Sequence, residues 1–556
     1  MDWITAELPQ EHVVAERYGR IEAALDERDT AAGWRAAFAD WDTLRREWES
    51  GRNLVDLRFT QDTGNREFRA AQRALDARAP SVTAREVRVK RRFLEGGTLR
   101  APLEAELGPQ AFALWNADVR AFDVGISEGL VRESELSREY TEVLAAASVY
   151  FEGQERSLAG LGAFFGHPER QIRHAAEVAR WGIFESVAEH LDSIFDELVC
   201  VRDGMARRLG YKNFVELGYQ RMHRVDYGPS DVARYRDDVV ATVVPVVRDL
   251  VRRFGASAGL ERVYFWDEKT LGVSGRTVPQ GDRRWIVDRA VESLASLAPS
   301  LGEFGAMMRE RRLLDVDLRP GKAFGAYCTM FPTHGVPFVF ANFNGSSTDI
   351  TTLMHELGHA FQGYSSREKT TIDYLTPTLE SAEIHSMALE YLSWPEMERF
   401  FGAGADAYRR EHLRDALFFL PYGVAVDHFQ HLVYANPGAT PAERHEMWQE
   451  MERRYLPWRD YGDLGFPARG RLWQEKRHIF GFPFYYIDYT LALCCALQFW
   501  ALAGNDRRRA LEAYVALCAR GGEAPFGELV RSAGLRSPFG GEALGDVVRT
   551  ASAAFG

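Results

Sequence analysis

Cysteines, excess positive charge and long apolar runs are scarce in this chain of 556 residues. Its five cysteines include no C-x-x-C pair, which argues against a disulfide framework and predicts reduced, buried thiols. The 68 basic and 80 acidic residues give a net charge of −12, which argues against nucleic-acid and anionic-lipid partners. No apolar run approaches the ~20 residues of a membrane span, and the N-terminal segment lacks the basic and apolar regions of a secretory signal. We therefore expect a cytoplasmic protein with no nucleic-acid or membrane partner.

Helical patterns dominate the rest of the sequence. Apolar residues recur at spacings of three and four, as in residues 175–202, and 46% of all residues are hydrophobic. The strongest β signal is the short segment Val336–Phe343, which is rich in β-branched and aromatic residues. The sequence therefore predicts a mainly α fold with a small β-sheet.

A His-Glu-x-x-His pattern follows this strand. His355 and His359 are four residues apart on a predicted helix, so both rings lie on one face and can bind one Zn²⁺ at ~2.0–2.1 Å. Glu356 lies about 100° round the helix from His355, which suits a general base acting on water better than a metal ligand. The pattern therefore predicts a catalytic zinc site with Glu356 as its base.

A third protein ligand is expected on the next helix, which begins near Pro377 and ends before Pro395 in the sequence pattern. Glu380, Glu383 and Glu390 share one face of this helix. Buried carboxylates need partners, and a metal held by two histidines is one such partner. Helix geometry alone does not choose among the three glutamates.

Three sequence segments resemble a known enzyme family. Within residues 321–500 the chain is similar to the thimet oligopeptidase and oligoendopeptidase F family of zinc metallopeptidases, in GKAFGAYCTMFPTHGVPFVFANFNGSSTDITTLMHELGHAFQ, TLESAEIHSMALEYL and HIFGFPFYYIDYTLALCCALQFW. The sequence PFYYIDY is most similar to that of the oligoendopeptidase F branch typified by bacterial Pz-peptidases. The gap of 23 residues between His359 and Glu383 is similar to that of the family, which implies that Glu383 is the third ligand.

This resemblance implies an activity and an architecture. The activity is zinc-dependent hydrolysis of internal peptide bonds in short oligopeptides, with one Zn²⁺ per chain. The architecture is a large helical metallopeptidase with a deep substrate channel between two lobes and the small sheet beside the zinc helix. We expect an N-terminal helical lobe over residues 1–205 and a catalytic domain over 206–556, with segments shared between them. Glu380 and Glu390 are then candidates to hold the metal-bound histidines by hydrogen bonds.

The third segment contains candidates for stabilising the oxyanion that peptide hydrolysis creates. Tyr486 and Tyr489 are three residues apart on a predicted helix, so both phenols can point into one cleft. The resemblance aligns them with the two transition-state tyrosines of the family and implies an assisting role for His478. The neighbouring Tyr485 is expected to pack in the core.

The strand Val336–Phe343 is expected to contribute to substrate binding. As an edge strand beside the zinc site, it would pair with an extended peptide through main-chain hydrogen bonds, with little demand on the sequence of the peptide.

Two alternatives to an endopeptidase remain at this level. One is a carboxydipeptidase, similar to the angiotensin-converting enzyme family, that uses the same ligands but releases residues from a free C-terminus. The other is a non-catalytic peptide-binding or scaffold protein in which the zinc is structural.

Overall fold

The computed structural model of the chain describes residues 6–27, 30–272 and 277–555. Twenty-two α-helices occur in those ranges. The first eight are α1 (Glu11–Glu27), α2 (Ala31–Gln61), α3 (Arg66–Glu95), α4 (Arg100–Leu107), α5 (Pro109–Ala121), α6 (Ser127–Ala146), α7 (Leu158–Leu161) and α8 (Arg170–Arg208). The others are α9 (Phe214–Arg221), α10 (Pro229–Ser257), α11 (Arg283–Leu297), α12 (Pro299–Glu310), α13 (Thr348–Ser365), α14 (Leu379–Leu392), α15 (Glu398–Phe401), α16 (Ala405–Ala435), α17 (Pro441–Tyr455), α18 (Arg477–Gly481), α19 (Tyr486–Asn505), α20 (Arg507–Arg520), α21 (Phe526–Ser532) and α22 (Glu542–Ala553).

The N-terminal helices bury an aromatic core of their own. Phe38 and Trp41 of α2 share one face of the helix, because they are three residues apart. The ring centroid of Trp41 is 5.4 Å from that of Phe93 on α3 and 5.3 Å from that of Trp115 on α5. These contacts fix the direction of α2, whose second half runs towards the C-terminal half of the chain and packs against a strand there.

Two small β-sheets interrupt the helical fold. The first is an antiparallel hairpin of β1 (Ser148–Phe151) and β2 (Gln154–Ser157). The second has three strands, β3 (Leu314–Asp317), β4 (Tyr327–Phe331) and β5 (Val336–Phe343), and it lies beside α13. β5 is parallel to β3 and antiparallel to β4.

The strand order corrects one expectation from the sequence. β5 is the central strand of its sheet, so the prediction that Val336–Phe343 is an edge strand was wrong. Its continuous apolar run is buried at every position except Asn342, as is typical of a strand covered on both faces. β4 is an edge strand of this sheet, and it is the strand that borders the cavity described below.

α13 and α14 approach each other closely because α13 has a glycine at the contact. A Cβ atom at Gly358 would be 2.6 Å from the carbonyl oxygen of His385 and 2.6 Å from Cα of Ser386. Both of these atoms belong to the backbone of α14, which cannot move aside as a flexible side chain can. The missing side chain at position 358 therefore sets the distance between these two helices.

α19 packs against α14, α16 and α20. In the part of the chain that the structure describes, it is the one helix long and apolar enough to cross a membrane, and 61% of its apolar window is buried inside the protein. The core helices of globular proteins meet the same criteria, so this helix by itself is weak evidence for a membrane span.

The mainly α class with a small sheet beside α13 is confirmed. The division into residues 1–205 and 206–556 stays a prediction. α8 continues across position 205, and the largest hydrophobic core combines residues from both parts, such as Leu57, Leu198 and Leu353.

Candidate metal centre

Two histidines of α13 face one glutamate of α14. The ring centroids of His355 and His359 are 4.9 Å apart. Nε2 of His355 is 3.2 Å from Oε2 of Glu383, and Nε2 of His359 is 3.5 Å from the same oxygen. One possible ligand atom from each residue lies within 4.8 Å of the others. Two imidazole nitrogens and a carboxylate oxygen form a donor set that fits Zn²⁺ and leaves a coordination position open for water or substrate.

Glu383 is held in this arrangement by two hydroxyl groups. Tyr485 donates a hydrogen bond to Oε1 at 2.5 Å, and Ser386 donates one to Oε2 at 2.9 Å. Burial favours the neutral carboxyl, but His359 and His355 hold the pKa of Glu383 well below its usual range. The carboxylate is therefore ionised and suited to a cation. The expectation that Tyr485 packs in the core was wrong, because its hydroxyl contacts this glutamate.

The other two glutamates of the same helix face have different partners. Oε1 of Glu390 is 2.7 Å from Nδ1 of His355. Although burial favours the neutral carboxyl, the hydrogen bonds from His355 and His412 hold the pKa of Glu390 below its ordinary value. Glu390 therefore forms a hydrogen bond with His355, one of the two candidate ligand histidines, as expected from the sequence.

Glu380 does not take part in this group. Its Oε1 atom accepts a hydrogen bond from Thr378 at 2.8 Å, and within the described ranges it makes no ion pair with either histidine. Burial, with Asp488 nearby, raises the pKa of Glu380 to about 8. Burial therefore favours the neutral form of this carboxyl group, which makes Glu380 a poorer partner for a cation than Glu383.

Glu356 directly follows His355 in the sequence of α13, and its side chain lines the same cavity as the two histidines. Its side chain is buried, and this burial raises the pKa of Glu356 above its ordinary value although His355 and His359 oppose the shift. A carboxylate with a raised pKa accepts a proton more readily near neutral pH. The position and environment of Glu356 both suit a general base.

A cavity of 660 Å³ contains these side chains. Part of the lining is β4, and another part comes from the N-terminal helices, through Tyr18, Arg45, Trp48, Arg52 and Asn53. The volume is in the range of ~300–1,000 Å³ that is typical of ligand sites. No local pattern in the sequence marks these N-terminal residues, because the fold brings them to the site from about 300 positions away.

The predicted tyrosines and histidine lie at different depths. Tyr485 and Tyr489 line the cavity, with ring centroids 4.8 Å apart. Tyr486 and His478 pack behind them, at 5.7 Å and 5.8 Å from the ring of Tyr489. Burial raises the pKa of Tyr486 to about 12, and burial beside Lys476 lowers the pKa of His478 to about 4. The two tyrosines that share the cavity are therefore Tyr485 and Tyr489, four residues apart, and not the predicted pair Tyr486 and Tyr489, three residues apart.

A strained residue precedes these tyrosines. Phe484 has φ +67°, a backbone conformation that costs on the order of 1–3 kcal/mol for a residue other than glycine. Its N–H donates to Oε1 of Gln430 at 2.9 Å, and its carbonyl accepts from Nη2 of Arg224 at 2.5 Å. Gly218 leaves room for the ring, since a Cβ there would be 2.5 Å from it. These contacts hold the turn that presents Tyr485 at the start of α19.

Comparison with solved structures relates the whole chain to one class of peptidases. A structure of Pz peptidase A with an inhibitor is 40% identical, with a TM-score of 0.95, and the match covers 98% of this chain and 97% of that chain. A structure described as an oligoendopeptidase F is 43% identical, with a TM-score of 0.94 and coverages of 98% and 96%. A second oligoendopeptidase F structure, from Bacillus anthracis str. Ames, is 39% identical, with a TM-score of 0.90 and the same coverages.

Family models agree with these structures. The model for peptidase family M3 matches residues 300–545, and that for the peptidase M3 N-terminal domain matches residues 2–122. The chain belongs to peptidase family M3. A comparison with curated proteins found no match.

Membership of family M3 confirms the resemblance predicted from the sequence. The protein is therefore a metallopeptidase that acts on oligopeptides. Among the predicted site residues, the structure brings together His355, Glu356, His359, Glu383 and Tyr489 in one cavity. Sequence reasoning missed the contact between Tyr485 and Glu383.

Proposed function

We propose that this M3 peptidase is a cytoplasmic, zinc-dependent endopeptidase that hydrolyses internal bonds of short oligopeptides. In this proposal His355, His359 and Glu383 bind one Zn²⁺ per chain, and Glu356 is the general base. The observation that carries the proposal is the convergence of three ligand atoms within 4.8 Å, beside a buried carboxylate in a peptide-sized cavity.

The proposed reaction begins with water in the cavity. When bound, Zn²⁺ supplies a Lewis acid that lowers the pKa of water and polarises the scissile carbonyl group. Glu356 accepts the proton of the attacking water and later gives it to the leaving amine. Tyr489 donates a hydrogen bond to the oxyanion of the tetrahedral intermediate. Tyr486 and His478, the other candidates from the sequence, are proposed to assist by supporting Tyr489, whose ring they contact.

β4 is the strand proposed to bind the peptide main chain, in place of β5. Residues 326–330 line the cavity, and they include the whole edge strand except its last residue. An extended peptide can add to such an edge by main-chain hydrogen bonds, which recognise length and conformation more than side chains. This binding mode supports the hydrolysis of oligopeptides of varied sequence.

The position of the cut bond distinguishes an endopeptidase from a carboxydipeptidase. We expect mass spectrometry to detect cleavage at internal bonds of a ten-residue peptide, whether its C-terminus is free or amidated. A zinc chelator should abolish both reactions. Release of dipeptides from the free form alone, with the amidated peptide intact, would contradict endopeptidase activity while leaving the metal chemistry in place.

Replacing Tyr489 with phenylalanine is expected to lower kcat by about 10²–10³-fold, the usual cost of removing one oxyanion donor. KM should change little, because the hydrogen bond forms mainly in the transition state. Tyr486→Phe is the matched control, since its phenol does not line the cavity, and a smaller loss is expected. Steady-state kinetics on a fluorogenic peptide measures both variants, and an unchanged kcat for Tyr489→Phe contradicts the assignment.

A further inference from the structure

A chain of three hydrogen bonds leads from the metal centre to an indole ring. Nδ1 of His355 is 2.7 Å from Oε1 of Glu390, and Oε2 of Glu390 is 2.8 Å from Nε2 of His412. Nδ1 of His412 then accepts a hydrogen bond from Nε1 of Trp394 at 3.1 Å. These residues belong to α13, α14, α16 and the turn after α14, so the three hydrogen bonds join the helices of the candidate metal centre to a third helix, α16.

The indole at the far end determines the position of each proton in this chain. The Nε1 atom of Trp394 can only donate, so Nδ1 of His412 has a lone pair and the proton of that ring is on Nε2. This proton points to Oε2 of Glu390, and a carboxylate between two imidazole rings accepts from both, so His355 donates from Nδ1. With Nδ1 committed to Glu390, Nε2 is the nitrogen of His355 left to bind a metal, on the side that faces Glu383.

Packing holds the ring of His412 in the orientation that these hydrogen bonds need. The ring of Tyr391 stacks on it, with centroids 4.6 Å apart and an angle of 2° between the planes. The ring of Tyr408 lies 5.7 Å away, and its hydroxyl is 2.8 Å from Oγ1 of Thr351, one helical turn before His355. A rotation of His412 would break this stacking together with two hydrogen bonds.

We propose that His412 and Trp394 are positioning residues of the metal centre, which act through Glu390 to hold His355 in the tautomer and orientation that leave Nε2 free for the metal. This inference rests on the proposed function, because it takes His355 as a metal ligand. In the described part of the chain His359 has no comparable hydrogen bond on its second ring nitrogen, so the effect is confined to one of the two histidines.

His412→Phe tests the proposal, because it removes both hydrogen bonds of the ring but keeps an aromatic side chain for Tyr391 to stack on. We expect zinc affinity to fall by up to about 10-fold, less than the ~10–100-fold typical of losing a group bonded directly to a ligand, because Glu390 stays in place. Competition with a chelator of known affinity measures this change. The absorption spectrum of the Co²⁺-loaded protein should also change, since His355 is no longer held in one orientation.

Tyr391→Phe is the matched control, since it alters the same aromatic cluster and leaves the three hydrogen bonds intact. Its zinc affinity and Co²⁺ spectrum are expected to equal those of the unmodified protein. Trp394→Phe should weaken zinc binding less than His412→Phe does, because His412 can then adopt either tautomer. Trp394→Phe becomes the test variant if thermal unfolding of the metal-free protein shows that His412→Phe does not fold.

Two different failures can be told apart in this experiment. Unchanged zinc affinity and an unchanged Co²⁺ spectrum in the folded variants would overturn the role of His412 and Trp394. An unmodified protein that binds no zinc would instead overturn the metal centre on which the proposed function rests.

Discussion

Replacing Glu356 with glutamine is expected to lower turnover by about 10²–10⁴-fold, the range for loss of a general base. Glutamine has nearly the same shape as glutamate but cannot accept a proton at its amide nitrogen or oxygen near neutral pH. Glu356 is not one of the three groups that converge on the metal position, so zinc binding should be retained. The loss should appear in kcat, with little change in KM, because proton transfer belongs to the transition state.

Kinetics on a fluorogenic peptide, together with the zinc content of the same sample, separates this effect from metal loss. Glu49→Gln is the matched control, since Glu49 is a carboxylate from the N-terminal helices that lines the same cavity and the charge change is identical. This variant should keep most of its turnover. Full activity in Glu356→Gln with zinc still bound would remove the proposed mechanism, whereas an equal loss in both variants would point to the charge of the cavity rather than to a base.

The parts of the site that lie within one helical turn were predictable from the sequence. The period of an α-helix puts His355 and His359 on one face and turns Glu356 to the side, and the structure has this arrangement. The positions of such side chains depend on the local backbone alone. The mainly helical class was predictable for the same reason, because amphipathic spacing is a local property.

Choices between neighbouring positions on one element required the fold. Glu380, Glu383 and Glu390 share a helix face, yet their contacts differ. Glu383 contacts both histidines, Glu390 contacts one ring nitrogen of His355, and Glu380 contacts Thr378. Tertiary contacts decide among them, because Glu383 and Glu390 face histidines of α13 whereas Glu380 is buried beside Asp488 of α19. The order of the strands is also a tertiary property, which is why Val336–Phe343 was wrongly expected at an edge.

The tyrosines show that helical spacing alone does not choose which pair of side chains faces a site. Tyr489 lies beside Tyr486, three residues earlier, and beside Tyr485, four residues earlier, which also has helical backbone angles. The prediction from spacing took the first pair, whereas the cavity contains the second. The left-handed backbone of Phe484 lies just before α19, and Tyr485, the residue that precedes the helix, turns towards Glu383. A positive φ at phenylalanine has no sequence signal, since the partners that stabilise it, Arg224 and Gln430, are distant in the chain.

Replacing Glu383 with alanine is expected to remove the metal. The variant keeps two imidazoles but loses the carboxylate that lies 3.2 Å and 3.5 Å from their nitrogens. The fall in zinc affinity should exceed the roughly 10–100-fold cost of losing an outer partner, because a direct ligand is removed. Dialysis followed by measurement of bound zinc should then find little metal and little peptidase activity.

Glu380→Ala is the matched control for this experiment, because it removes a second buried glutamate from the same helix, one turn earlier. Since burial raises the pKa of Glu380 and favours its neutral form, and since neither histidine contacts it within the described ranges, zinc should be retained in the control. The two variants therefore differ in whether an ionised ligand is lost, while the loss of volume is the same. If Glu380→Ala loses zinc and Glu383→Ala keeps it, the metal is bound by the other glutamate, and the proposed ligand set is wrong even though the enzyme class stands.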